Sequence, residues 1–422
     1  MYIGVGYNDD MTHIYRRADA LIEALVLEEP GVMVLGPRAT GKTTSASRFA
    51  RTIVRLDEPA RAAAFRADPD AALRGLDEPV LLDEWQEAPG VLGAVKRSID
   101  ADPRPGRFIL TGSAMGATAQ QMWPGTGRLV NVLMQGLSVA EVAGVASGPT
   151  LIDRLRLGEE PVPAQDSPDL RGYVDLALRG GFPELVARPR SVRSSRAWLT
   201  SYVAQIVGRD AGALEDRDSL RLQRFFEAFA LNTAGMPSDV TLGEAAGVDR
   251  RTARAYEHLL ERLFVIDAVP AWRSNRLKRL VARPKRFLVD PALLVGLFGV
   301  DTDAVLADGD LLGRVIETFV MAQLRVEAAS ADARIRMHHL RAEGGAREVD
   351  IIAEVGAREL VAFEVKATSA PTVADARHLI WLMQNIEHVR SAVVFHTGPS
   401  TFKLTPSIWA APISSLWGPP AT

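Results

Sequence analysis

The first regular signal along the chain is helical. Between His13 and Leu27, the apolar residues Ile14, Leu21, Ile22, Leu25 and Val26 recur at the spacing of one helix face. Pro30-Gly31 ends that helix, and residues 32–35 (Val-Met-Val-Leu) form a fully apolar run, the pattern of a strand buried on both faces. Two more such runs, 80–82 and 108–110, alternate with helical patterns up to about residue 145. The alternation predicts a parallel α/β sheet.

Further on the pattern changes. Residues 143–167 lack long apolar runs, hold several Gly, Pro and Ser, and read as a linker or irregular insertion. Residues 170–216 are helical in pattern, interrupted by Gly180-Gly181-Phe182-Pro183. Residues 217–283 carry helical segments and then a strand-like stretch, 264–271. The remainder predicts a helix at 313–328, strands at 334–340, 348–355 and 359–365, a helix at 373–384 and a final strand at 392–396. With 422 residues the chain is too long for a single core. The expected division is 1–150, a helical lid or linker region at 168–215, a third unit at 216–286 and a fourth at 287–410.

The strongest chemical signal lies between the first strand and a helix expected at 43–53. Gly36, Pro37, Arg38, Ala39, Thr40, Gly41, Lys42 and Thr43 match GxxxxGK[ST] in full. In such a loop, glycines let the backbone wrap phosphate, and successive N–H groups point at the anion. Lys42 reaches the β- and γ-phosphates, the Thr43 hydroxyl holds Mg²⁺, and Thr44 is placed for a further phosphate contact. The apolar run 80–82 ends in Asp83-Glu84, which supplies a metal-ordering acid (Asp83) and a base for the attacking water (Glu84). Thr111 and Ser113, after the third run, could sense the γ-phosphate or equally form an ordinary turn. Arg128, in Gly125-Thr126-Gly127-Arg128, is the first candidate for the arginine at the transferring phosphate. Arg209 is the second.

In the middle region, Leu242, Ala245 and Ala246 form a short apolar face. Gly247 breaks the helix, and Asp249 or Arg250 begins a second with Ala253, Tyr256, Leu259 and Leu260 inward. This is a helix–turn–helix pattern, and 264–272 follows as a wing strand. Arg250, Arg251 and Arg254 open the second helix, where groove-reading side chains lie in DNA-binding proteins. Double-stranded DNA and a purely packing role are both open for this module.

Near the C-terminus, two apolar-rich strands flank a turn at 356–358. If the turn is symmetric about Ala357, Asp350 lies opposite Glu364, and period-two alternation puts Lys366 on the same face. Two carboxylates and a lysine together form the D…ExK arrangement of metal-dependent nucleases, in which the acids bind Mg²⁺ and the lysine serves the attacking water. Glu317, on the preceding helix, is placed to complete the set.

Composition narrows the chemistry. The absence of cysteine excludes disulfides, thiolate zinc sites and cysteine nucleophiles. A net charge of −3 excludes a protein coated in basic surface, so any nucleic-acid contact is a local patch. No stretch approaches the ~18 apolar residues of a membrane span, and residues 1–10 lack a signal peptide's order, so a cytoplasmic protein is expected. Of 49 basic residues only six are lysines: Lys42, Lys96, Lys278, Lys285, Lys366 and Lys403. Against that arginine-rich background, Lys42 and Lys366 fall where a compact ammonium suits the chemistry. Lys278 and Lys285 fall in the basic middle region, where arginine would serve as well.

Taken in order, 36–44, 81–86, 110–113, Gly127-Arg128, Gly180-Gly181-Phe182-Pro183-Glu184, Arg209-Asp210 and 348–366 resemble a prokaryotic family of AAA-type ATPases. The C-terminal domain of that family, of unknown function, resembles PD-(D/E)xK nucleases; here Val349 stands where those nucleases usually carry proline. The resemblance implies an α/β multidomain fold with a P-loop ATPase core, a helical and winged-helix middle and a restriction-endonuclease-like end. It also implies nucleotide roles for Lys42, Thr43, Asp83 and Glu84, and nuclease-like positions for Glu317, Asp350, Glu364 and Lys366. The expectation is an ATP- and Mg²⁺-dependent switch controlling a nuclease-like domain that acts on DNA. The alternative is a regulator that binds DNA or a partner protein without cutting, and self-association is open.

Overall fold

A computed structural model describes residues 13–113, 127–210, 216–273, 282–331, 333–342, 345–356 and 358–420. Gly125, Thr126, Lys278 and Ala357 lie outside the described residues, as does the side chain of Arg209.

Helix α1 (Arg17–Glu28) leads into a five-stranded, all-parallel sheet built from β1 (Gly31–Leu35), β2 (Thr52–Arg55), β3 (Val80–Asp83), β4 (Phe108–Gly112) and β5 (Val130–Leu133). The strand order is β2-β3-β4-β1-β5. β1, β3 and β4 are buried throughout, which is why the apolar runs revealed them. Edge strands β2 and β5 each bury a single residue, Val54 and Val132, so their patterns carried no strand signal. The helix expected at 43–53 is shorter: α2 (Lys42–Ser47) stops after six residues, and Thr52-Ile53-Val54 instead pair with β3. β-branched side chains favour that strand.

Residues 143–167 are not a free linker. Thr150 and Asp153 form a capping box that starts a short helix at Leu151–Arg156. Its Leu151, Ile152 and Leu155 are fully buried in the core that also holds the middle region and the C-terminal sheet. The backbone N–H groups of Leu151 and Ile152 donate to the buried carboxylate of Glu327.

The middle region packs α3 (Leu170–Arg179), α4 (Val192–Gln205), α5 (Asp216–Leu231), α6 (Asp239–Ala246) and α7 (Arg250–Arg262). α6 and α7 are joined through Gly247, whose φ of 67° is the left-handed cap that glycine adopts without strain. Asp249 caps α7. An antiparallel ribbon follows, of β6 (Ile266–Val269) and β7 (Lys285–Leu288).

The C-terminal unit begins with the 22-residue helix α8 (Gly309–Ser330), which lies against a six-stranded mixed sheet. The strands are β8 (Ile335–Ala342), β9 (Arg347–Val355), β10 (Glu359–Val365), β11 (Val389–His396), β12 (Phe402–Thr405) and β13 (Ile408–Pro412), in the order β12-β13-β11-β10-β9-β8. Helix α9 (Arg377–Asn385) covers the other face with Leu379 and Leu382. The sequence pattern stopped at β11. β13, parallel to it, includes two alanines and a proline, residues with weak strand preference, and β12 is half exposed, so neither carries a clear strand signal. No described helix is long and apolar enough to cross a membrane.

Candidate functional site

The phosphate loop leaves β1 at the C-terminal edge of the parallel sheet, the edge where ligands bind in such folds. Gly36 has a φ of 151°, and a Cβ there would lie 2.1 Å from the Met134 carbonyl oxygen, so only glycine fits. Gly41, at φ 88°, turns the chain into α2. Lys42 is buried, and its Nζ donates to the carbonyls of Gly36 (3.0 Å) and Pro37 (2.7 Å). Burial, with Arg38 adding to it and Glu84 opposing, lowers its pKa to about 8. Thr40 closes the loop with a 2.8 Å bond to the Pro37 carbonyl.

β1, β4 and β3 are neighbours, which sets Asp83 beside Thr111 and across from Thr43. The Thr43 hydroxyl donates to Asp83 Oδ1 at 2.7 Å, and the Thr111 hydroxyl donates to the same oxygen. Glu84 has a φ of 53°, an uncommon conformation for a non-glycine residue, which turns it off the strand end. Its two carboxylate oxygens accept from Gln86 Nε2 and from Ser113 Oγ, the latter at 3.2 Å. The Thr43 hydroxyl at the start of α2 and the Asp83 carboxylate at the end of β3 are hard oxygen donors of the kind Mg²⁺ takes, so this site fits the ion.

Two residues that sequence reasoning missed hold the loop. Arg16, only 3% exposed, donates to the carbonyls of Thr40 (2.9 Å) and Gln135 (2.7 Å), with Nε 3.4 Å from Glu141. Asp290 accepts from Gly181 N at 2.7 Å. The Gly180–Pro183 turn is thereby held against the loop, with Pro183 Cγ 3.6 Å from where a Gly41 Cβ would stand. Arg128 does not meet the expectation within one chain. It precedes β5 at the end of the sheet where β1 begins, bonds Asp100 at 2.8 Å, and lies a strand's length from the phosphate loop.

The C-terminal set is brought together differently. The β9–β10 pairing runs to Ile351 opposite Phe363, so the next step puts Asp350 level with Glu364. Asp350 Oδ2 accepts from Val365 N at 3.0 Å, and Lys366 Nζ bonds Glu364 Oε1 at 2.7 Å. Glu317 arrives from α8. Between them stands a group with no role in the sequence reading, Lys285 of β7, whose Nζ lies 2.5 Å from Glu317 Oε1 and 3.0 Å from Asp350 Oδ1.

Burial raises the carboxyls of Glu317 and Glu364 to about 8, against the opposing pull of the lysines. Burial acts the same way on Asp350, but Lys285 and the Val365 N–H outweigh it and hold Asp350 below the ordinary range. For Lys285, burial is outweighed by Asp350 and Glu317, and its pKa rises. In this structure an ammonium stands between two of these acids. Among the described residues, no three His, Cys, Asp or Glu side chains converge closely enough to hold a metal.

In the middle region, Arg250 and Arg254 both bond Asp239 Oδ2, at 3.3 and 2.8 Å, while remaining more than half exposed. Arg286 bonds the other Asp239 oxygen and Glu257.

Comparison with known proteins gives three family matches. Residues 28–143 match the model of an AAA domain. Residues 170–304 and 312–416 match two domains of unknown function, DUF8612 and DUF4143. Uncharacterized proteins of Mycobacterium bovis and Mycobacterium tuberculosis are each 28% identical over 410 residues, covering 95% of this chain and 84% of theirs. Among solved structures, the Walker-type ATPase PABY2304 of Pyrococcus abyssi aligns with a TM-score of 0.42 at 15% identity, covering 68% of this chain and 96% of that one. With its phosphate loop and parallel sheet, the N-terminal part of the chain is thus similar, over residues 28–143, to an AAA domain.

Proposed function

We propose that the chain is an ATP-hydrolysing switch whose nucleotide state is transmitted to the C-terminal domain. One observation carries the reading: Asp83 gathers the hydroxyls of Thr43 and Thr111 onto a single oxygen, with Glu84 held beside it. Arriving phosphates draw Lys42 Nζ away from the carbonyls of Gly36 and Pro37 onto the β- and γ-oxygens. Thr43 and Asp83 would hold Mg²⁺, which neutralises phosphate charge when bound. Glu84 accepts the proton of the water that attacks the γ-phosphorus, and Ser113 and Gln86 fix the orientation of its carboxylate. The products are ADP and inorganic phosphate.

A path for transmission supports the switch. Pro183 sits on Gly41, Gly181 is held by Asp290, and Asp290 lies two residues past the end of β7, the strand that carries Lys285 into the C-terminal acids. Arg128 could serve a γ-phosphate only from a second copy of the chain. The helix pair α6–α7 with the β6–β7 ribbon supports a winged-helix reading, with Arg250, Arg251 and Arg254 toward duplex DNA. The mixed sheet, with Asp350 and Glu364 level on antiparallel strands, supports a nuclease-like ancestry for the C-terminal unit. For its present role, the ion-paired acids favour the second reading, a regulator that does not cut.

The test is phosphate release from ATP by wild type and by Lys42→Ala, together with plasmid DNA incubated with Mg²⁺ or Mn²⁺. Turnover lost in the variant and intact plasmid are expected. Turnover retained in Lys42→Ala sinks the ATPase reading, and plasmid cleavage lost in Asp350→Ala sinks the non-cutting one.

A further inference from the structure

We infer that the acid cluster of the C-terminal sheet is filled by an internal cation, the Lys285 ammonium, and takes no divalent metal while β7 is in place. This deepens the non-cutting reading above and rests on it for the domain's role.

The geometry leaves little room for another occupant. Lys285 Nζ stands within 3.0 Å of one oxygen of Glu317 and one of Asp350, and its side chain is 3% exposed. A Mg²⁺ bridging those acids would need their oxygens at about 2.0–2.1 Å. Such an ion would share the ammonium's position, and two cations in one buried space repel strongly. The third acid, Glu364, is already engaged by Lys366. Glu364 Oε2 is buried without a hydrogen-bond partner, and loss of the ammonium would free the carboxylates of Glu317 and Asp350 beside it.

The plug is built in rather than draped over the site. Lys285 pairs with Val269 in the β6–β7 ribbon, which fixes its backbone. Its neighbour Arg286 points the opposite way, as strand alternation requires, and is buried on Glu257, Asp239 and the Pro237 carbonyl. One dipeptide therefore pins the helix pair on one side and the acid cluster on the other. The lysine supplies a compact, point-like ammonium that ion-pairs with two converging carboxylates at once.

The experiment is Mn²⁺ binding followed by electron paramagnetic resonance on the full-length, nucleotide-free protein. It compares wild type, Asp350→Asn, Lys285→Met, Lys285→Gln and Lys285→Met/Asp350→Asn. Wild type and Asp350→Asn are expected to bind Mn²⁺ alike. At least one of the two Lys285 variants is expected to gain one site, at least tenfold tighter than any in wild type, that disappears when Asp350→Asn is added to Lys285→Met. The inference is overturned if Asp350→Asn removes a Mn²⁺ site from wild type, a comparison that needs no Lys285 variant to fold. It is overturned equally if no Lys285 variant that keeps the wild-type circular dichroism gains a site. ATP turnover by the wild type reads the phosphate loop separately, so failure of the ATPase proposal leaves this result intact.

Discussion

Arg16 should be worth more to nucleotide binding than its place before the first helix suggests. Its guanidinium bonds the Thr40 carbonyl within the phosphate loop and the Gln135 carbonyl beyond β5, tying the loop to the sheet. Arg16→Gln removes two hydrogen bonds from a charged donor, about 1.5–3 kcal/mol each. Part of that is returned because a guanidinium no longer has to be buried, leaving a net loss of about 3 kcal/mol. Glu141 is not orphaned, since it still accepts from the N–H groups of Arg17 (2.9 Å) and Ser138 (2.8 Å). If half the loss falls on the loop conformation that receives phosphate, ATP affinity weakens about tenfold. Titration with a fluorescent ATP analogue measures this, and urea unfolding measures the stability term. Arg17→Gln is the control, because that guanidinium bonds Gly148 instead of the loop. An ATP Kd within twofold of wild type in Arg16→Gln would refute the reasoning.

Two further expectations concern the rest of the chain. The triple substitution Arg250→Ala, Arg251→Ala and Arg254→Ala should abolish a salt-sensitive shift of duplex DNA, and an unchanged shift would assign the helix to packing. His339 is buried with Nε2 3.1 Å from the Arg283 carbonyl, and burial, aided by nearby Lys285, lowers its pKa to about 4. The unfolded chain takes the proton first, so this stabilisation is complete above about pH 6.5 and is lost as pH falls toward 4, up to about 3 kcal/mol. His339→Gln should flatten the fall in urea midpoint across that window, and an unaltered pH slope would count against the assignment.

What the sequence disclosed and what it concealed divide along physical lines. The phosphate loop was legible because its glycines answer to backbone geometry, as Gly36 under Met134 illustrates. The Asp350–Glu364 level was legible because strand alternation is a local rule. Arg16 was not, since one arginine in an arginine-rich chain carries no signal until its carbonyl partners, 24 and 119 residues away, are in place. Lys285 was hidden for a related reason. It lies in a stretch whose composition reads as basic surface, and only the approach of α8 and β9 turns it into a buried counter-ion. The 143–167 segment did carry a signal that periodicity overlooks. Thr150-x-x-Asp153 within it, and Ser138-x-x-Glu141 just before it, are capping boxes for helices of six and four residues, too short to show a helical period.

ATP hydrolysis at the phosphate loop depends most directly on Glu84 as the base for water. Single-turnover hydrolysis of radiolabelled ATP by wild type and Glu84→Gln, with ATP affinity measured on the same preparations, isolates that step. The expected result is a fall in the hydrolysis rate of about 10²–10⁴-fold with ATP affinity within a few-fold of wild type. Hydrolysis at the wild-type rate in Glu84→Gln would contradict it.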